Sequence, residues 1–154
     1  MKGAIPRTTI FALLICALFT FASTAFAQNI RVVLKGYDPV AYFTDGKPVK
    51  GDTGISYDWD DQRYYFASAK HREMFAADPE RYAPQFAGYC TGSMSRGVRN
   101  EGHPEGWVIA DGKLFVFGAP DAETAAKHKA AAERDLAAFR LKVAAASRVW
   151  QDRK

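Results

Sequence analysis

Four side chains in this sequence are of types that hold soft metals or act as nucleophiles: the thiol of Cys90, the thioether of Met94 and the imidazoles of His71 and His103. Thiolate and imidazole together suit copper or zinc, and a thioether moves the preference towards reduced copper. The expected constellation is a metal site in which Cys90 supplies the thiolate and His71 or His103, with Met94, completes the shell. The spacing says less than the residue types. Neither C-x-x-C nor H-x-x-x-H occurs, and these are spacings that zinc sites commonly use. Cys90 and Met94 would share a face only on a helix, which the glycines flanking Cys90 oppose. Each residue also has a plainer reading: Cys90 as a small buried apolar group, His71 as a capping or solvated residue on a short helix, and His103, before Pro104, as a loop residue. His128 lies among lysines on an exposed helix face and is given no role. A nucleophilic Cys90 would need a nearby base and a lowered pKa. No nucleophile signature surrounds it, and there is no paired-cysteine redox motif, phosphate-binding glycine loop or paired-carboxylate arrangement. The expectation is therefore a non-enzymatic protein, with a Cys90-dependent enzyme as the alternative.

The start of the chain sets the compartment. Lys2 and Arg7, the apolar run from Ile10 to Phe21 and the small-residue pattern Ala25-Phe26-Ala27 read as a cleavable secretory signal over residues 1–27. The run is shorter than the roughly 20 apolar residues of a membrane span. The bulky Ile15 before Cys16 opposes a lipid anchor there. The expected product is exported, periplasmic in a Gram-negative bacterium and secreted otherwise, with no stable membrane anchor. Cleavage takes away Lys2 and Arg7, so the basic residues fall from 21 to 19 against 17 acidic ones and the net charge from +4 to +2. That balance gives a nucleic-acid role no support. Cleavage also removes Cys16 and leaves Cys90 alone, so no intrachain disulfide forms in a compartment where disulfides persist.

Several short elements must position these groups. A strand-like run, Ile30 to Leu34, leads to a turn in which Asp38 caps a helical turn that starts at Pro39 and runs through Val40 and Tyr42. Ile55 to Trp59 and Arg63 to Ala67 read as a hairpin about Asp60-Asp61. Ser68 and Asp78 read as N-caps of helices through Phe75 and to Pro84. Phe86 to Gly106 has no clear period and is expected to be loop with an ordered piece at Cys90. Trp107 to Phe117 is a hairpin about Asp111-Gly112. From Asp121 on, apolar groups recur at steps of three and four, from Ala125 to Trp150, giving a helical tail with a break near Arg134-Asp135.

Gly36-Tyr37-Asp38-Pro39-Val40-Ala41-Tyr42-Phe43, Gly46 to Gly51, Tyr64 to Ser68, Asp78 to Gln85 and Gly88-Tyr89-Cys90, in this order, resemble the YHS-domain family. Pro104-Glu105-Gly106-Trp107 and Asp111 to Leu114 look like its exported, stand-alone branch. The resemblance spans about Gly36 to Gly118. It implies a small α+β domain on an antiparallel sheet, over residues 28–120, with residues 121–154 a helical extension packing on it. It also implies metal handling. The metal-associated form carries cysteines where this chain has Ala41 and Ala67, and of its later ligand positions only His71 is still a donor, whereas Cys90 matches the thiol of the stand-alone branch.

The expected function is thus an exported, soft-metal-binding module of copper type, with zinc second and haem a weaker candidate. The alternative is a module that binds a small molecule or a protein partner without metal. Tyr37, Tyr42, Tyr64, Tyr65 and Trp107 are expected to build the core, the other reading being an apolar pocket.

Overall fold

The computed structural model describes residues 30–152; the expected signal and Cys16 lie outside them. The class is α+β, as the alternation of short strands and helices implies, but the strands form two small sheets. In chain order the elements are β1 (Arg31–Val32), α1 (Ala41–Thr44), β2 (Asp52–Trp59), β3 (Gln62–Phe66), α2 (Ala69–Ala77), α3 (Pro79–Tyr82), α4 (Thr91–Met94), β4 (His103–Ala110), β5 (Lys113–Phe117), α5 (Ala122–Arg134) and α6 (Leu136–Gln151). β2 and β3 pair antiparallel, with β1 added parallel to β3, and β4 and β5 form the second sheet.

The two halves repeat one plan. Each begins with a tight turn in which two residues before a glycine are left-handed: Leu34 and Lys35 before Gly36 (φ 53°, 53° and 79°), and Phe86 and Ala87 before Gly88 (φ 54°, 55° and 76°). Such a conformation costs a residue with a side chain about 1–2 kcal/mol. Leu34 and Phe86 are buried in the core, and burying such a side chain contributes roughly 1.5–3 kcal/mol, which offsets much of the strain of the two left-handed residues in each turn. After the turn, Asp38 N–H donates to Val49 C=O (2.9 Å) and Cys90 N–H to Asn100 C=O (2.8 Å); Gly51 N–H returns to Gly36 C=O (3.0 Å) and Gly102 N–H to Gly88 C=O (3.1 Å). A short helix and a hairpin follow in both halves. The hairpins share their register down to a bulge at the same place: Trp59 faces Gln62 and Asp52 faces Phe66, as Ala110 faces Lys113 and His103 faces Phe117. Each hairpin runs into a helix capped by a side chain, Ser68 accepting from His71 N–H and Asp121 from Thr124 N–H.

β5 alternates between two cores, as the period of two requires. Leu114 and Val116 join Leu34, Val40, Tyr42, Tyr64, Phe66 and Phe75, while Phe115 and Phe117 join Phe86, Met94, Val108, Ala132, Phe139 and Ala146. This hairpin is covered on both faces, and for that reason its sequence is a nearly continuous apolar run. Arg31 ties the halves together, donating to Glu101, to Gln62 Oε1 (2.9 Å) and to Ala87 C=O (2.7 Å).

Three local expectations change. The strand expected over Ile30 to Leu34 stops at Val32, because the left-handed Leu34 and Lys35 cannot continue it. The segment expected as loop contains a helical turn, α4, and the first residues of β4, so His103 is a strand residue. The glycines do not prevent that turn. Of the aromatic residues expected in the core, Tyr42 and Tyr64 are fully buried and Tyr37 and Trp107 pack against them, but Tyr65 stays half-buried over Gly36. The break at Arg134-Asp135 is present, with Asp135 accepting from Ala138 N–H to start α6.

Candidate functional site

The repeated plan creates two small cradles of backbone N–H groups. In the first, the Asp38 carboxylate is wholly buried. Its Oδ1 accepts from Val40 N–H (2.8 Å) and Ala41 N–H (3.4 Å), and its Oδ2 from Ala67 N–H (2.8 Å). His71 Nδ1 lies 2.7 Å from Oδ2. An ionised carboxylate only accepts, so Nδ1 carries the proton, and Nε2 faces Thr44 Oγ1 at 3.4 Å. Asp38 thus does more than cap α1: it joins that helical turn to the end of β3 and to α2.

Cys90 occupies the corresponding place in the second half. Gly92 and Ser93, two and three residues on as Val40 and Ala41 are from Asp38, and Gly118, after β5 as Ala67 is after β3, lie around Sγ, where their N–H groups and the Ser93 hydroxyl favour the thiolate. Burial pushes the thiol pKa up, but these hydrogen bonds outweigh it and hold the thiol below its ordinary value. Alkylation of Cys90 by iodoacetamide should accordingly show a pH midpoint below the roughly 8.5 of a free cysteine; a midpoint at or above that value would mean that burial dominates.

The sulfur stands at the wall of a cleft of about 570 Å³ between the α4 turn, the end of β5 and the α5–α6 pair. Arg96, His128, Arg134 and Lys142 line it, against one acidic residue, Asp135. Arg96, Arg134 and Lys142 are exposed and make no salt bridge among the described residues. His128 Nδ1 is 3.1 Å from Gly118 C=O, so it donates there and presents Nε2 elsewhere. Gly118 therefore neighbours both groups: it lies against the thiol, and its C=O accepts from the imidazole.

The four expected donors have different surroundings. His71 is engaged by Asp38. His103 Nδ1 accepts from Glu105 N–H at 3.2 Å, and Met94 is fully buried in the second core. Only Cys90 lines the cleft. Among the described residues no three His, Cys, Asp or Glu side chains stand together so as to hold a metal ion. Sequence reasoning gave no role to His128 and did not single out Arg96, Arg134 or Lys142. Their common wall is made by a fold that joins positions dozens of residues apart, which no local spacing announces. No family model, curated protein or solved structure matches this chain.

Proposed function

We propose that this protein is an exported, non-enzymatic module that binds a small anionic molecule in the Cys90 cleft. The observation that carries the reading is the charge of the cleft wall, three cationic side chains (Arg96, Arg134 and Lys142) against one acidic, around a cavity of small-ligand size. The same charge disfavours a cation and so speaks against copper or zinc as the occupant. The order of the Gly-Tyr-Asp-Pro, Tyr-Tyr-Phe-Ala-Ser and Gly-Tyr-Cys segments, which resembles the YHS family, supports a stand-alone binding domain.

Succinate tests this, with the uncharged succinamide beside it. In the chain from Gln28 onward, where Cys90 is the only thiol, succinate should slow alkylation of Cys90 in a saturable way. Protection should weaken as salt rises, because exposed charges are screened over about 8 Å at physiological ionic strength. It should fall in Arg96→Glu and Lys142→Glu. Equal protection by succinamide, or none by either, would sink the proposal. So would stoichiometric copper(I) binding that disappears in Cys90→Ser, since the site would then be a metal site.

A further inference from the structure

We propose that Cys90 exchanges with small acidic disulfides that enter the basic cleft, becoming a mixed disulfide whose carboxylates lie against Arg96, Arg134 and Lys142. The inference rests on the anion-binding reading of the cleft and adds to it the class of ligand and a covalent step.

Two independent features support it. The first is the equivalence of the cradles. The peptide groups that surround Sγ are the counterparts of those that hold a full carboxylate at Asp38. The fold therefore places the sulfur where its other half places a buried, hydrogen-bonded side-chain carboxyl group. A thiolate, not a thiol, is the attacking species. Lowering a thiol's pKa by one unit raises its thiolate fraction about tenfold while the pKa stays above the pH, and costs only about threefold in nucleophilicity. The exchange is faster on balance.

The second is access. Cys90 is only 8% exposed and is reached through the cleft. Two copies of the chain cannot easily bring two such recessed sulfurs together, because a disulfide requires Cβ atoms about 3.8 Å apart. A small molecule can enter. In the step itself the Cys90 thiolate attacks one sulfur of the incoming disulfide. A bond forms between Sγ and that sulfur, the original S–S bond breaks, and the other half leaves as a thiolate with the electron pair and takes a proton from water. No other oxidant is needed. The basic wall then selects the acidic disulfide by steering it in and by holding the half that stays.

The test compares glutathione disulfide, which carries carboxylates, with cystamine, which carries only ammonium groups. Both are added to the chain from Gln28 onward, and adducts are followed by intact mass. The acidic disulfide should modify Cys90 at least about tenfold faster, the lower end of electrostatic steering. That preference should collapse in Arg96→Glu/Lys142→Glu and near 1 M salt, where screening acts over about 3 Å. Cys90→Ser should give no adduct. Cystamine reacting as fast or faster would overturn the proposal. So would a failure of either disulfide to form an adduct while iodoacetamide still labels Cys90. The two exposed charge reversals leave both cores untouched, and circular dichroism checks their folding. Succinate protection without glutathione adducts would overturn the exchange and leave anion binding standing, whereas loss of succinate protection strikes the cleft reading itself.

Discussion

Asp38→Ala should lower the stability of the domain by roughly 3–5 kcal/mol, measured by urea denaturation of the chain from Gln28 onward, because it leaves several buried or partly buried donors unpaired at about 1–3 kcal/mol each. The carboxylate is the acceptor for Val40 N–H, Ala67 N–H and His71 Nδ1–H, and with no exposed surface at that position water does not readily replace it. A typical domain has only about 5–15 kcal/mol in total, so the variant would be near its threshold. Asp38→Asn is the informative control. Its carbonyl oxygen can serve Val40 and Ala41, but its NH2 group would then face the donors at Ala67 and His71. Asparagine should therefore rescue less than half of the loss. A cost below about 1 kcal/mol for alanine, the ordinary net worth of one hydrogen bond, would mean that the cradle relaxes or fills with water.

The capping role of Asp38, the two hairpins, the Ser68 and Asp78 caps and the interruption of the tail at Asp135 were legible in the sequence because each depends on residues within a few positions of one another. Asp111-Gly112 between apolar runs fixes its hairpin by turn chemistry alone, and the structure places φ values of 52° and 73° there. What depends on distant partners was not legible. The repeat was present in outline, since Gly36-Tyr37 and Gly88-Tyr89 are followed by hairpin turns at nearly the same separation. Its chemical content was hidden, because Asp38 and Cys90 share no property that a pattern search would join. Only the backbone shows that both side chains stand among peptide groups at corresponding positions. The metal expectation arose in the same way. Residue types gave a soft donor set, whereas donor assembly is a property of the fold, which pairs Nδ1 of His71 with a carboxylate and buries Met94 in a core.

Phe139→Ala should have the other large effect, and its pattern would separate the two halves of the molecule. The Phe139 ring is buried and meets Phe115 and Phe117 edge to face, with centroids 5.3 and 5.6 Å apart. Removing such a ring costs about 3–5 kcal/mol. The first core, around Phe75, contains no residue of α6, so the loss should appear first as opening of α6 from β5, not as collapse of the β2–β3 hairpin. Hydrogen exchange would show this as faster exchange at α6 amides, with β3 amides changed less. The cleft would fail in the same variant, because Phe139 lines it and the helix it anchors carries Lys142. Succinate protection of Cys90 should then disappear at denaturant concentrations where the first core is intact. If α6 and β3 instead open together, the shared hairpin couples the cores into one cooperative unit, and the cleft is as stable as the whole domain.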